Sequence, residues 1–170
     1  MGLHLIIDGY NLIRQSPALS RIDARDLEAG REALLARLAA YRLIKPLAMT
    51  VVFDGWSGGG LRETRDRSQG IAIIYSRRGE RADEVIKRLL AQDRSRAVAV
   101  SSDREIQEFA ERVGAEFIGA PAFEARLNQA AAGAPPEDPE NLHPPGTRKK
   151  GPSHRPPKRQ RQRASRLKKI

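Results

Sequence analysis

The chain contains no cysteine, which excludes disulfide staples, thiolate catalysis and sulfur-ligated metal sites. It has no apolar run of the roughly 18 to 20 residues needed to span a bilayer. Its N-terminus lacks a basic segment followed by a long apolar one, the pattern of a secretory leader. These absences favour a soluble, cytoplasmic protein without a membrane partner, although the lack of cysteine does not identify the compartment. No glycine-rich P-loop fingerprint is present, and no repeat exceeds a general alternation of strand-like and helix-like stretches.

The 170 residues suffice for one domain with a sizeable core. Net charge is +10, unevenly spread. From His143 to Ile170 there are 11 Lys or Arg and no acid, so residues 1–142 carry 20 basic and 21 acidic side chains. A near-neutral body can therefore hold a carboxylate pocket while a basic tail faces a polyanion. After Ala132 the chain is rich in proline and polar groups and poor in large apolar ones. The expectation is a folded domain over 1–132 and a disordered Pro-rich basic tail over 133–170 that binds nucleic acid.

Within the body, Leu3 to Ile7 reads as a buried strand running into the turn at Asp8-Gly9. Leu27, Leu34, Leu38 and Tyr41 form one stripe of a helix from Asp23 to about Ile44, stopped before Pro46. Met49 to Phe53 is a second strand, again closing on an acid and a glycine. Ser57 to Gly70 has no periodicity and reads as a long flexible loop. A third strand at Ile71 to Tyr75 precedes a helix with Val85, Ile86, Leu89 and Leu90 inward. "RAVAVSSD" is a fourth strand, Ser102 and Glu105 have capping-box spacing for the next helix, and Gly114 suits its end. "EFIG" is a short fifth strand, followed by a helix opened by Pro121. This alternation predicts an α/β fold, a largely parallel sheet with helices on both faces.

In a parallel sheet the carboxyl ends of the strands open on one edge, where ligands bind. Asp8, Asp54 and Asp103 follow three strands, and Asp83 opens the helix after another. Carboxylates brought together repel one another unless a divalent cation neutralises them. With neither cysteine nor a histidine pair, an oxygen-only set favours Mg²⁺ or Mn²⁺ over zinc. Such an ion would serve hydrolysis of a phosphodiester. Asp83 is preferred to its neighbour Glu84, because it lies closer to the strand end. Asn11 can orient a carboxylate or water through its amide, and it is also a common helix cap. Ordinary turns at Asp8-Gly9 and Asp54-Gly55 and a first-turn charge at Asp103 account for the same residues structurally. Ser101 and Ser102 lack a histidine or lysine activator for nucleophilic chemistry. His4 reads as structural.

The motifs "IIDGYNLI", "VVFDG", "RADEVIKRLL" and "VAVSSDREI" together resemble the YacP-like branch of the NYN domain family, within the PIN-like nuclease superfamily, over about Leu3 to Gln129. The resemblance implies a three-layer α/β/α sandwich and a metal-dependent endoribonuclease. It places the acidic centre at Asp8, Asp83 and Asp103, with Asn11 nearby and Asp54 lining the pocket. It also implies RNA as partner, including messenger RNA on the ribosome. Arg62, Arg65, Arg67, Arg77, Arg78 and Arg81 are the candidate phosphate contacts, though Glu63, Asp66 and Glu80 among them also suit an ordinary solvated surface. A non-catalytic RNA- or ribosome-binding module is the alternative, and a small-molecule phosphohydrolase a weaker third reading.

Overall fold

Alternation along the first strand sets the layers. In β1 (His4–Asp8) the side chains of Leu5 and Ile7 enter one apolar core and Ile6 the other, as a period of two requires. The computed structural model describes residues 2–55, 60–133 and 158–170, the last segment without side chains before residue 162. After β1 come α1 (Gly9–Gln15), α2 (Pro17–Asp23), α3 (Leu27–Ile44), β2 (Ala48–Phe53), β3 (Thr64–Ser68) and β4 (Ile71–Tyr75). The second half holds α4 (Ala82–Asp93), a 3-10 turn at Arg94–Arg96, β5 (Ala97–Val100), α5 (Arg104–Val113), β6 (Glu116–Ile118), α6 (Ala120–Ala131) and α7 (Lys158–Leu167).

The sheet runs β3-β4-β2-β1-β5-β6, with every pairing parallel except β3 on β4. On one face Leu12, Leu19, Leu34, Leu38 and Phe123 bring α1, α2, α3 and α6 against Leu5, Val51, Phe53 and Val98. On the other, Val85, Ile86, Leu90 and Ile106 bring α4 and α5 against Ile6, Val52 and the small Ala97 and Ala99. This is the expected three-layer α/β/α sandwich with a largely parallel sheet. Each fully buried Leu, Ile or Val contributes roughly 1.5–3 kcal/mol. Among the described residues no helix is long and apolar enough to cross a membrane.

Four local expectations change. The stretch read as a loop over Ser57–Gly70, whose residues 57–59 lie outside the described ones, contains β3. This edge strand is exposed along nearly its whole length, so no apolar alternation marks it. Gln69 (φ 51°) and Gly70 (φ 80°) form its two-residue turn into β4, both in the positive-φ region that tight hairpins use. The helix expected from Asp23 begins at Leu27, capped by Asp26, and is preceded by α1 and α2. Ser16 ends α1 and caps α2, where Pro17 supplies the first turn. Asp103, not Ser102, caps α5 by accepting from Glu105 N–H at 2.7 Å; Gly114 closes it at φ 81° as expected.

The fourth change concerns the basic end. Residues 158–170 are not disordered: they carry α7, and Ile170 is 3 % exposed within the first core beside Leu167. Arg163 and Arg166 lie 3.4 and 3.6 Å from Glu116 of β6, and Arg126 donates to Leu167 O at 2.7 Å. Two apolar residues at the end of a very polar helix are enough to seat it. His4 is structural, as expected: Nδ1 lies 2.5 Å from Asp93 Oδ2 and Nε2 2.8 Å from Thr50 Oγ1.

The ends of β2 and β4 approach so closely at Gly55 that an added Cβ would lie 1.7 Å from Ser76 O, a backbone atom. Gly55 N–H donates to Ser76 Oγ at 3.0 Å in the same contact. Gly55→Ala is therefore expected to cost about 3 kcal/mol in denaturant unfolding, whereas Gly2→Ala, in open space, should stay within about 0.5 kcal/mol of the parent.

Candidate active site

Strand order reverses at β1, which lies between β2 and β5, and the crevice of a parallel sheet opens at such a point beyond the carboxyl ends of the strands. Asp8 stands there. Its Oδ1 accepts from Asn11 N–H at 3.3 Å, capping α1, and its Oδ2 accepts from Ser101 Oγ at 3.2 Å. Ser101 is fully buried just past β5, and its Oγ also accepts from Asp103 N–H at 3.1 Å. Asn11 Oδ1 accepts from Ser102 N–H at 2.8 Å. The turn after β1 is thus stitched to the turn after β5 by two hydrogen bonds. Phe53 lies beneath: a Cβ on Gly9 would sit 2.3 Å from its ring, which meets Tyr10 edge-on at 5.1 Å and stacks with Tyr75 at 5.7 Å.

The other predicted acids surround the start of α4. Asp54 Oδ1 accepts from Ala82 N–H at 2.6 Å, supplying from β2 the cap that Arg81 does not make. Asp83 is buried in the first turn, with Arg81 Nε 3.2 Å from Oδ1 and Lys87 Nζ 3.4 Å from Oδ2. Arg81 is close but misaligned, and Oδ1 has no hydrogen-bond partner. Lys87 reaches Glu105 at 3.2 Å, linking Asp83 to the first turn of α5 two residues beyond Asp103.

Burial pushes the Asp8 carboxyl from 3.8 up to about 6, aided by the charges of Asp54 and Asp103 and opposed by the Asn11 N–H and Ser101 hydroxyl. Asp54 and Asp103 thus lie within electrostatic reach of Asp8 at this rim. Among the described residues no three His, Cys, Asp or Glu form a ready-made ligand set. The donors still suit a hard divalent cation: they are carboxylate oxygens, one of them orphaned at Asp83 and one reluctant to ionise at Asp8. Mg²⁺ commonly takes one or two carboxylates and keeps several waters. The residues present fit such an ion.

The predicted arginines divide. Arg65 pairs with Glu63 at 2.8 Å, Glu63 also pairs with Arg88, and Arg88 binds Glu80 at 2.9 Å, with Arg77 3.6 Å from Glu80. Arg88 beside it holds the Glu80 carboxyl below its ordinary value. Arg65, Arg77 and Arg81 are thus engaged with carboxylates, while Arg62, Arg67 and Arg78 are exposed and carry no side-chain ion pair among the described residues. A cleft of about 360 Å³ adjoins Asp54 and is lined by Tyr10, Arg14 and Arg81 among others. Sequence reasoning missed Ser101 as a bridge because it was weighed only as a nucleophile.

The model of the YacP-like NYN domain family matches residues 5–168. The chain is 33 % identical over 85 residues to the "Uncharacterized protein YacP" of Bacillus subtilis (strain 168), an alignment covering 50 % of this chain and 49 % of that protein. It thus spans about half the length of the curated relative it matches. The crystal structure of Rae1 (YacP) from Bacillus subtilis superposes with a TM-score of 0.63 at 26 % identity, covering 78 % of this chain and 76 % of that one. A single-substitution mutant of Rae1 gives a TM-score of 0.63 at 25 % identity, covering 76 % and 77 %.

An aspartate whose pKa is raised by folding lowers stability wherever it must be ionised. The penalty is complete above about pH 6, fades as the folded carboxyl takes up its proton, and is gone below 3.8. Asp8→Asn keeps the capping acceptor and removes the charge. In chelator it should raise unfolding free energy at pH 7.5 by about 2–3 kcal/mol, with the gain shrinking towards zero at pH 4. A difference independent of pH in denaturant titrations would contradict the assigned burial cost.

Proposed function

Because the chain belongs to the YacP-like NYN domain family, we propose that it is a metal-dependent endoribonuclease that hydrolyses RNA phosphodiester bonds at the Asp8 rim. The observation that carries this reading is a half-buried carboxylate at the switch point of a parallel sheet, raised to about 6 with two further acids in electrostatic reach. Paying such a folding cost at an open edge is characteristic of a functional site. Asp8, Asp54, Asp83 and Asp103 are the residues that would hold Mg²⁺ or Mn²⁺. When bound, the ion would lower the pKa of a water and polarise a phosphoryl oxygen.

The chain's own groups do the positioning. Ser101 fixes the Asp8 oxygen by donating to Oδ2, and Asn11 braces the two turns so that the rim keeps its shape. Arg62, Arg67 and Arg78, together with the paired Arg65, Arg77 and Arg81, are the cations available to neutralise phosphates on either side of the cut. In this reading residues 1–132 form the nuclease domain, the basic end adds sequence-independent affinity, and the substrate is cytoplasmic RNA, including messenger RNA on the ribosome.

A non-catalytic RNA- or ribosome-binding module is the second reading. It is favoured by one fact: Asp8, Asp54 and Asp103 each already accept a backbone N–H at a helix start. Incubation of labelled single-stranded and structured RNAs with Mn²⁺, Mg²⁺ or chelator separates the two. The nuclease reading expects internal cleavage that needs the metal and falls at least about 100-fold in Asp8→Asn, with a loss of about 10–100-fold in Ser101→Ala. Intact RNA under every condition, with binding retained, would establish the module instead.

A further inference from the structure

The cleft beside Asp54 shares that aspartate and α1 with the acid rim and extends from them to Asp23 and Leu27. It is bounded by α1, by the junction of α2 and α3, and by the loop from β4 to α4. Two arginines border it. Arg14 is exposed and carries no side-chain ion pair among the described residues. Arg81 borders it from the other side. One helical turn beyond Leu27, Arg31 donates to Tyr10 Oη at 3.0 Å and lies 5.8 Å from the centre of the Tyr75 ring. Among the described residues it makes no ion pair.

The floor is different. Leu27, 43 % exposed, presents an apolar side chain to the cleft. Asp23 lines it as well, and Asp54 and Glu80 add acceptors, Glu80 being held by Arg88. Arginines at the mouth, an apolar wall and acceptor-only groups within match a ligand that is anionic at one end and carries a flat ring with N–H donors at the other. The volume lies within the roughly 300–1,000 Å³ of small-ligand sites, which admits one nucleotide and excludes a duplex.

We propose that this cleft is a subsite for one unpaired nucleotide of the RNA, next to the phosphate presented at the Asp8 rim, with its backbone phosphate on Arg14 and its base against Leu27. The assignment rests on the nuclease reading for the identity of the polymer, while its test requires no cleavage. Unpaired bases are the usual targets of sequence-reading RNA sites, since they can turn into a pocket. Arg14 and Leu27 then separate two contributions: a phosphate contact depends on salt, and a base contact does not.

Binding of a fluorescein-labelled single-stranded RNA to the full chain, followed by anisotropy in chelator across a salt series, tests this. Arg14→Gln should weaken binding about 5- to 10-fold and reduce the slope of log K against log salt by about 0.7, the single-strand value for one phosphate contact. Leu27→Ser should weaken binding about 3-fold or more with the slope unchanged, and Arg112→Gln, on α5, should change neither. Matching thermal unfolding curves establish that the variants fold. Wild-type affinity in Arg14→Gln, or weaker binding with an unchanged slope, overturns the subsite. Displacement of the RNA by micromolar nucleoside monophosphate also overturns it, because the cleft would then be a site for free nucleotides. Metal-dependent cleavage with unaltered Arg14→Gln binding refutes the subsite alone; the predicted binding without cleavage refutes the nuclease reading alone.

Discussion

One carboxylate in an uncomfortable place organises the strand-end edge of this protein. Asp8 ends the central strand β1, which has β2 on one side and β5 on the other. Being there costs stability, because burial and two nearby acids oppose its ionisation. The cost is limited by the Asn11 N–H and the Ser101 hydroxyl, the donors that stabilise the charged form. These same bonds make the β1–α1 turn and the β5–α5 turn one structure. An isolated turn could not hold a carboxylate in this state; a sheet with both neighbouring strands in register can.

The two sides of that stitch are supported differently. On the β2 side the support is aromatic and apolar: Phe53 fills the space beneath Gly9 and contacts both Tyr10 and Tyr75. The α1 entry cannot shift without moving that ring. On the α4 and α5 side it is ionic, with Lys87 joining Asp83 to Glu105. Partly exposed ion pairs of this type contribute little to stability. The edge therefore combines a rigid wall, which fixes Asp8, with a polar one whose charges can rearrange around a ligand.

The layers and the placement of the acids at one sheet edge were legible because parallel strands buried on both faces write continuous apolar runs, and helices write a 3.6-residue stripe. What escaped was whatever lacked periodicity. β3 is an exposed edge strand of alternating charge, so nothing in Thr64–Ser68 distinguishes it from a loop. α1 and α2 are single short helices broken at Ser16-Pro17, too brief to show a stripe. Ser101 escaped for a chemical reason, since its value lies in donating to Asp8 while accepting from Asp103, a relation across 93 residues that no local spacing encodes. Of the six arginines picked from the sequence, three were already answered by carboxylates that only the fold brings near.

The basic end is the clearest instance of composition misleading. Charge and proline density argue for disorder from residue 133 as averages over the segment, of which residues 134–157 lie outside the described ones. A few positions suffice to override an average: Ile170 enters the core, Leu167 packs beside it, and Glu116 meets Arg163 and Arg166. Anchoring places a cationic helix on β6, the strand at the opposite edge of the sheet from β3 with its exposed arginines. Positive charge thus occupies both outer edges while the acids lie between them at the strand ends. For a polyanion approaching that face, this distribution attracts at the flanks and repels at the centre, so an extended chain lies most favourably along the flanks.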